Sequence, residues 1–141
     1  MAKVPLTFLG LDDEASQANN ARYGVLPVPY EGTVTFRRGT AGGPLSIIQA
    51  SAHVELLDEE LGREYHHAGI CTYPIVQPAS NPDDQMQRVH DAAAAILARD
   101  QFLLTLGGEH SITAALVRAM AERHGEIAVL QLDAHADLRN E

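Results

Sequence analysis

Hydrophobic residues along the chain form three continuous runs of the length expected for buried strands. The runs cover residues 23–29, which end in prolines, residues 102–106, which precede a pair of glycines, and residues 127–132. A weaker strand signal lies around residues 68–75 and is interrupted by Pro74. Because these runs are apolar at successive positions, they are typical of parallel strands that are covered on both faces.

Three other segments show the spacing of apolar residues that an amphipathic helix requires. The first helix is predicted over residues 44–57, with a proline as its first residue. The second starts after a capping residue, Asn81, which is followed by proline and two acidic residues. Its apolar face reaches residues 96–97, and Arg99 ends it. We predict that Ser111 caps the third helix and that Gly125 ends it.

The order of these elements predicts an α/β fold. Residues 102–132 alternate strand, helix and strand, an arrangement in which the two strands are parallel and the crossover is right-handed. The sequence contains no internal repeat, low-complexity tract or linker-like segment, and its 141 residues are about the length of one domain. We therefore expect a single domain over residues 1–141.

The charge balance excludes several classes of partner. Nineteen acidic residues against ten basic residues give a formal net charge of −9, and no cluster of Lys and Arg is present. A nucleic-acid or anionic-membrane surface is therefore not expected. No apolar run approaches the ~20 residues that span a membrane, and the apolar stretch near the amino terminus is too short for a signal peptide. The single cysteine, Cys71, is predicted to be a buried hydrophobe, and we expect a reducing, cytoplasmic location.

Two polar motifs directly follow two of the predicted strands: Gly-Gly-Glu-His-Ser at 107–111 and Asp-Ala-His-Ala-Asp at 133–137. Open α/β sheets bind their ligands at the carboxyl ends of parallel strands, so both motifs lie where a site is expected. Four of their side chains are candidate metal ligands: His110, Asp133, His135 and Asp137. Two imidazoles and two carboxylates suit a divalent ion such as Mn²⁺, with Zn²⁺, Fe²⁺, Co²⁺ and Ni²⁺ as alternatives.

Each of these residues also has an ordinary structural explanation. An Asp-x-His pair is often a capping Asp beside a surface His, but apolar strands that end in acid, imidazole and acid favour a metal site because uncompensated buried charges are costly. Glu109 and Ser111 either support the metal ligands or cap the following helix. The other five histidines lack carboxylate partners at ligand spacing and are predicted to be solvated or hydrogen-bonded: His53, His66, His67, His90 and His124.

Three segments of the chain resemble motifs of the ureohydrolase family, which contains arginases and agmatinases. They are LTLGGEHSIT at 104–113, LQLDAHADLR at 130–139 and VPYEGTVTFRRGTAGGP at 28–44, and the last is most similar to agmatinases. The resemblance extends from about residue 23 to residue 141. It implies an arginase-like, three-layer α/β/α fold with a mostly parallel sheet.

The resemblance also implies a chemistry. Members of the family hold two Mn²⁺ ions bridged by a hydroxide, and by position His110 and Asp137 would bind one ion, His135 the other, and Asp133 both. The hydroxide attacks the guanidinium carbon of a small cationic substrate, which releases urea and an amine. Agmatine, which yields putrescine, is the substrate that the motifs favour, and Ni²⁺ or another divalent ion could replace Mn²⁺. Homo-oligomers, trimers or hexamers, are the usual assembly in the family.

The family pattern also contains residues that this sequence lacks. A later Asp-x-Asp, a later acidic residue near the guanidinium group and a later proton-shuttling His have no counterpart here, so no catalytic residue is assigned. The chain therefore resembles the amino-terminal half of a ureohydrolase, and we expect the 141-residue chain alone to release no urea. Strands without their neighbours would also make the isolated chain prone to aggregation.

Three alternatives to an agmatinase stay open at this point. The substrate could be another guanidino compound, such as guanidinobutyrate, guanidinopropionate, free guanidine or arginine. The chain could instead be a truncated, catalytically inactive remnant if it ends at Glu141. A deacetylase-like hydrolase with one Zn²⁺ is the third alternative, but the pairing of GGEHS with DAHAD is the binuclear pattern and disfavours it.

Overall fold

The computed structural model describes residues 6–12 and 14–137. At its centre lies a parallel sheet of three strands in the order β4–β1–β5. Strand β1 covers Tyr23–Val28, β4 covers Ile70–Thr72 and β5 covers Phe102–Gly107. Strand β1 pairs with β5 along its whole length but with β4 only at its amino end, so the sheet is widest at the amino ends of its strands.

The strands predicted at 23–29 and 102–106 are confirmed, and the weak signal at 68–75 narrows to the three residues of β4. Pro27 lies within the central strand, where a missing N–H would normally break the ladder. The Pro27 carbonyl accepts a hydrogen bond from Val76 N at 3.0 Å, beyond the end of β4. Because the N–H and C=O of one residue in a parallel strand face the same neighbour, the proline costs the sheet no ladder bond.

A two-stranded antiparallel hairpin precedes β4. Its strands are β2 at Leu57–Asp58 and β3 at Arg63–Glu64. Gly62 N donates to the Asp58 carbonyl at 2.8 Å, and Gly62 has a φ of 59°, in the left-handed region that glycine tolerates. The hairpin leads directly into a short 3₁₀ helix at Tyr65–Ala68.

Helix α1 covers Gly43–Ser51, so the helix predicted over 44–57 is wrong in its second half. The Ser51 hydroxyl donates to the Ile48 carbonyl at 2.7 Å and accepts from Leu9 N at 2.8 Å. These bonds tie the end of the helix to the amino-terminal segment, and the chain then turns towards β2. The apolar residues of the predicted second half are exposed instead of buried.

Helix α2 covers Pro82–Leu97 and begins as predicted. The Asn81 side chain caps it by accepting a hydrogen bond from Asp84 N at 2.9 Å. Proline occupies the first position, and Asp83 and Asp84 lie in the first turn, where the helix dipole favours negative charge. The helix ends shortly before Arg99, so both its predicted start and its approximate length are confirmed.

Helix α3 covers Thr113–His124 and ends at Gly125, which has a φ of 79°, as predicted. The predicted capping by Ser111 is wrong. A 3₁₀ turn at His110–Ile112 leads into α3 without a side-chain cap, and the Ser111 hydroxyl donates to Glu109 Oε1 at 2.5 Å. An ionised carboxylate is a strong acceptor, so the local side chain takes the hydroxyl away from the helix.

Helices pack on both faces of the sheet. Helices α2 and α3 pack against each other and against one face of β1 and β5, whereas α1 packs beside Pro27 on the other face. The main buried cluster lies between the sheet and helices α2 and α3, which contribute several of its side chains. The cluster consists of Leu26, Val28, Tyr30, Val76, Val89, Ala93, Ile96, Leu97, Ile112, Ala115 and Ala119. The predicted three-layer α/β/α class, with a parallel sheet, is confirmed.

Residues 127–132 do not form the predicted strand. Within the part of the chain that the structure describes, no strand pairs with them, and Leu130 and Leu132 are 86% and 91% exposed. A strand is stable only where a neighbour satisfies its backbone N–H and C=O groups. The crossover predicted over 102–132 is therefore incomplete. Both faces of each strand are also expected to be buried, but Phe102 in β5 is exposed.

Two expectations from the composition concern Cys71 and membrane spans. Cys71 lies in β4 as a free, buried thiol, as predicted, and burial raises its pKa. No helix among the described residues combines the length and the hydropathy that crossing a membrane requires.

Candidate metal centre

The first candidate ligand, His110, follows the carboxyl end of β5. Backbone hydrogen bonds fix this turn against the end of β1, because Gly108 N donates to Val28 O at 3.1 Å. Glu109 N donates to Tyr30 O at 2.9 Å. The two segments approach so closely that a Cβ atom on Gly108 would overlap the Tyr30 carbonyl oxygen. Glycine is therefore required at this position, and His110 projects from a firmly placed backbone.

The Glu109 carboxylate joins this turn to the loop after β1. It accepts hydrogen bonds from Thr33 N at 2.8 Å, Thr33 Oγ1 at 2.6 Å and Ser111 Oγ at 2.5 Å. Burial raises the pKa of Glu109, but the hydrogen bonds from Ser111 and Thr33 outweigh burial, so the pKa lies below its ordinary value. These contacts indicate that Glu109 and Ser111 support the segment that carries His110 and do not cap the following helix. Nothing in the sequence points to Thr33, since a threonine in a polar loop carries no signal until its partner is known.

The second motif, residues 133–137, lies at the end of the extended segment that follows α3. Asp133 Oδ1 accepts a hydrogen bond from His135 N at 3.0 Å, which bends the motif on itself. This backbone hydrogen bond lowers the pKa of Asp133, and the imidazoles of His110 and His135 act in the same direction. Asp137 has a φ of 51°, a left-handed conformation that residues other than glycine rarely adopt. The motif is therefore a bent turn shaped by its own acidic residues.

Three of the four predicted ligands come together. One ring nitrogen of His110 and one carboxylate oxygen each of Asp133 and Asp137 lie within 4.8 Å of one another. His110 Nε2 and Asp137 Oδ2 are 3.3 Å apart. His135 lies outside this group: its side chain is 83% exposed, although its Nδ1 atom is 3.8 Å from Asp133 Oδ1. The two motifs thus meet as expected, and ligation by the four residues stays a prediction.

The donor atoms of this cluster fit a divalent ion chemically. An imidazole nitrogen and two carboxylate oxygens form a mixed set that Mn²⁺ and neighbouring transition metals accept. The two carboxylates repel each other at this distance, and a cation between them would remove that repulsion. His110, Asp133 and Asp137 are all exposed, which leaves room for further ligands from outside the described residues.

A cavity of about 690 Å³ opens beside the cluster. Its lining includes His110 and Asp137 together with residues 33–37 of the loop after β1. The Phe36 ring on that loop is almost fully exposed, and the Arg37 guanidinium carbon lies 5.5 Å from its centre. The loop therefore places an aromatic ring and a cation next to the candidate metal ligands.

The family of the chain follows from comparison with known proteins. The sequence profile of the Arginase family matches residues 21–141, which is most of the chain. The chain belongs to the Arginase family. The resemblance that the three motifs carry is thereby confirmed.

Individual Arginase-family proteins show how much of the family this chain covers. It is 37% identical to N(1)-aminopropylagmatine ureohydrolase of Synechocystis sp. in an alignment 143 positions long that covers 96% of this chain and 46% of that protein. It is 32% identical to the agmatinase of Bacillus cereus in an alignment 117 positions long that covers 79% of this chain and 39% of the relative. The crystal structure of proclavaminate amidinohydrolase from Streptomyces clavuligerus matches with a TM-score of 0.81 and 26% identity, over 96% of this chain and 46% of that one. The chain therefore spans less than half the length of these proteins.

Within this Arginase-family chain, Glu31 closes the loop after β1. Its carboxylate accepts hydrogen bonds from Gly39 N at 2.6 Å, Ala41 N at 3.0 Å and Thr40 Oγ1 at 3.0 Å. The backbone hydrogen bonds from Ala41 and Gly39 lower the pKa of Glu31. Glu109 thus holds the start of the loop at Thr33, and Glu31 holds its end at residues 39–41. Residues 33–37 of this loop line the cavity.

The histidines outside the two motifs differ in their surroundings. His67 Nε2 lies 2.9 Å from Glu64 Oε2. The His90 ring lies 3.0 Å from Asp91 Oδ1 and 2.7 Å from Glu122 Oε2. The prediction that these two histidines are hydrogen-bonded is confirmed, but the expectation that they lack carboxylate partners is wrong. The contact from His90 to Glu122 joins α2 to α3 and exists only once the helices have packed.

Proposed function

We propose that the protein carrying this chain is a ureohydrolase that hydrolyses a guanidino compound at a centre of two divalent metal ions. The observation that carries the proposal is the convergence of His110, Asp133 and Asp137 beside an open cavity at the carboxyl end of the sheet. In a chain of the Arginase family, this convergence supports metal-dependent hydrolysis. Mn²⁺ is the first candidate for both ions, and Ni²⁺ is the second.

The metal centre would take four side chains from this chain: His110, Asp133, His135 and Asp137. Two divalent ions held there would supply Lewis acidity, which lowers the pKa of water and so makes hydrolysis of a guanidinium group accessible near neutral pH. The protein's part is to keep carboxylates ionised and imidazoles neutral, because only those forms bind metal. The hydrogen bond from His135 N to Asp133, which lowers the Asp133 pKa, serves this purpose. Metal affinity should therefore fall at low pH.

Two other parts of the chain would position the ligands and the substrate. The bonds of Gly108 and Glu109 to the end of β1 fix the direction from which His110 reaches the site. Residues 33–37 would form the wall against which the substrate's tail lies, with the Phe36 ring as an apolar surface.

Agmatine, which yields putrescine and urea, is the substrate that we propose first. The names of two relatives, agmatinase and N(1)-aminopropylagmatine ureohydrolase, refer to agmatine or a derivative of it, which supports this choice. The formal net charge of −9 favours the approach of a cationic guanidino compound. Arg37 favours a tail that carries a carboxylate, so guanidinobutyrate and guanidinopropionate are the alternatives, followed by arginine and free guanidine.

Several properties of the whole protein follow as further parts of the proposal. We infer that this chain is the amino-terminal part of one arginase-like domain, because it spans less than half of its relatives. We also propose a cytoplasmic homo-oligomer, a trimer or a hexamer, with no nucleic-acid or membrane partner. The acidic charge and the absence of a basic cluster support the last point.

The test is urea release by the complete protein that carries this chain, after loading with Mn²⁺ or with Ni²⁺. Agmatine, N(1)-aminopropylagmatine, guanidinobutyrate, guanidinopropionate, arginine and free guanidine are compared as substrates. We expect His110→Ala and Asp137→Asn to lower kcat by roughly a thousandfold or more, because each removes a proposed metal ligand. The control is His124→Ala, which alters a histidine at the end of α3 and should leave kcat unchanged.

The intact mass of the native protein decides how the result is interpreted. A mass well above the 15.2 kDa of this chain, together with urea release, supports the proposal. A native mass of 15.2 kDa without urea release from any of the six compounds contradicts it and favours the inactive remnant. Urea release by the isolated 141-residue chain would overturn the expectation that this chain alone is inactive.

A further inference from the structure

We propose that Glu64, His66 and His67 form a second divalent-cation site, separate from the candidate centre at His110, which binds an ion of the zinc type and fixes hairpin β2–β3 to the 3₁₀ helix that follows it. The proposal does not depend on the ureohydrolase activity. It rests on side-chain geometry, on a buried imidazole nitrogen without a partner and on the rigidity of the surrounding backbone.

The three side chains converge on one small volume. One ligand atom from each of Glu64, His66 and His67 lies within 4.8 Å of the other two. His67 Nε2 is 2.9 Å from Glu64 Oε2. The rings of His66 and His67 stack with their centres 4.1 Å apart and their planes at 39°. Two imidazoles and one carboxylate are thus brought together by four successive residues.

The His66 ring has a bonding capacity that the protein does not use. Its Nδ1 atom is buried and has no hydrogen-bond partner among the described residues. Buried polar atoms are nearly always partnered, and each exception calls for a specific cause. An ion bound among the three side chains would give the His66 imidazole a partner that the described residues do not provide.

The backbone that carries these ligands is fixed on both sides. On the hairpin side, Asp58 Oδ1 accepts a hydrogen bond from Leu61 N at 2.9 Å, which closes the turn before Glu64. On the other side, Gly69 ends the 3₁₀ helix with a φ of 81°, and a Cβ atom there would overlap the Ala15 carbonyl oxygen. The ligands therefore need little ordering when an ion binds, which favours binding.

The site lies at the opposite end of the sheet from the candidate hydrolase centre. The 3₁₀ helix at Tyr65–Ala68 leads into the amino end of β4, whereas His110 follows the carboxyl end of β5. Because β4, β1 and β5 are parallel, these two ends are at opposite edges. The two sets of ligands can therefore be occupied and removed independently.

The ligand chemistry selects the class of ion. Two imidazoles and one carboxylate suit Zn²⁺, Co²⁺ and Ni²⁺, while the cluster around His110 has one imidazole and two carboxylates and is the harder of the two sets. Three protein ligands leave at least one position for water. We assign the site a stabilising role, because a bound ion would hold the Glu64 end of the hairpin against the 3₁₀ helix at Tyr65–Ala68.

The experiment is a Co²⁺ titration of the chain in a background of His110→Ala with Asp137→Asn, which disables the other cluster. Visible absorption of Co²⁺ follows coordination, and hydrogen exchange of the hairpin amides follows its effect on the backbone. Glu64→Gln and His67→Ala are added separately to this background. The matched control is His53→Ala, since His53 is an exposed histidine in the turn just before the hairpin.

We expect one Co²⁺ per chain in the background and slower hydrogen exchange at Leu61 and Gly62 when it is bound. Glu64→Gln and His67→Ala should each weaken Co²⁺ binding by roughly tenfold or more and abolish the added protection, whereas His53→Ala should change neither. Both substituted side chains are exposed, so the fold is retained. Equal Co²⁺ affinity in Glu64→Gln, His67→Ala and His53→Ala, or no binding in the background, would overturn the proposal.

Discussion

The two motifs that form the candidate centre are held in very different ways. Residues 107–111 end a strand that is paired with β1 along its whole length, and Glu109 adds three hydrogen bonds to the neighbouring loop and turn. Residues 133–137 end a segment that has no strand partner among the described residues, and the leucines before them are exposed. The motif at 107–111 is therefore fixed to the central sheet by its backbone. The motif at 133–137 follows a segment that the described fold does not bury.

This contrast explains why three predicted ligands converge and one does not. His110 is placed by backbone contacts that do not depend on residues 127–137. Asp133 and Asp137 reach His110 through local bends of their own motif, while His135 points into solvent. We expect the complete set of four ligands to form only when residues 127–132 are buried as a strand. The Arginase-family proteins compared above are more than twice as long as this chain.

The largest expected effect comes from the difference in burial between the sheet and residues 127–132, which substitution of one leucine in each region tests. Leu26 in β1 is 1% exposed, whereas Leu130 is 86% exposed. We expect Leu26→Ala to lower the free energy of unfolding by about 2–5 kcal/mol, because it leaves a cavity under α2 and α3. Leu130→Ala should change it by less than about 0.5 kcal/mol. Urea denaturation of the two variants measures both effects, and similar losses in the two would show that residues 127–132 are already packed.

The next effect concerns the close approach of the β5 turn to the end of β1. Gly108→Ala should lower the free energy of unfolding by about 1–3 kcal/mol, because the new Cβ overlaps the Tyr30 carbonyl oxygen and forces the two backbones apart. Gly42→Ala is the matched control, since a Cβ there meets nothing within 4 Å and its φ is −75°. Thermal or urea unfolding compares the pair. A neutral Gly108→Ala would mean that the His110 turn is not fixed in the way described.

A smaller effect is expected where the loop after β1 is fastened to Glu109. Thr33→Val keeps the shape of the side chain but removes the hydroxyl that donates to Glu109 Oε1 at 2.6 Å. We expect a loss of about 0.5–1.5 kcal/mol in the free energy of unfolding and faster hydrogen exchange in the loop. Thr35→Val, in the same loop and exposed, is the control. If both variants exchange at the same rate, Glu109 does not hold the loop.

The smallest expected effect depends on pH and belongs to the contact between α2 and α3. Hydrogen bonds to Asp91 and then to Glu122 raise the pKa of His90 above its ordinary value. A histidine whose pKa is raised by folding stabilises the fold fully below the unfolded pKa of about 6.5, and this stabilisation disappears as the pH rises through the higher folded value. The hydrogen bond from His90 also lowers the pKa of Asp91, so the Asp91 contribution disappears at the acidic end instead.

We therefore expect the wild-type chain to lose about 0.2–1 kcal/mol more than His90→Gln when the pH rises from about 5.5 to about 8.5. Urea midpoints at the two pH values measure the difference. His124→Gln, which alters an exposed histidine at the end of α3, should behave like the wild type. A wild-type chain and a His90→Gln variant with the same pH dependence would contradict the assignment.

Elements that depend on local signals are the ones that the sequence predicts correctly. Asn81 and the residues just after it are enough to define the start of α2, and the apolar runs define β1 and β5. The predicted strand at 127–132 has an equally strong apolar pattern, but strand formation also needs a partner, which no local pattern supplies. The second half of the helix predicted over 44–57 fails because the Ser51 hydroxyl ties the helix end to Leu9, a long-range contact.

At the candidate centre, the motifs predict which residue types gather but not how each is held. His110, Asp133 and Asp137 come together although only His110 follows a strand, β5, because residues 127–132 form none. The pairing of Glu109 with Thr33 joins residues 76 positions apart and could not be deduced from either residue alone. Ser111 has the position of a helix cap, yet the carboxylate two residues earlier is the better acceptor.

Mn²⁺ binding by the chain tests the central claim most directly. Electron paramagnetic resonance measures free Mn²⁺ during a titration of the wild type, of Asp137→Asn and of Asp83→Asn, an exposed control at the start of α2. If His110, Asp133 and Asp137 hold the ion, Asp137→Asn should weaken binding by roughly tenfold or more while Asp83→Asn leaves it unchanged. Equal Mn²⁺ affinity in all three proteins would contradict the claim that these residues form a metal centre.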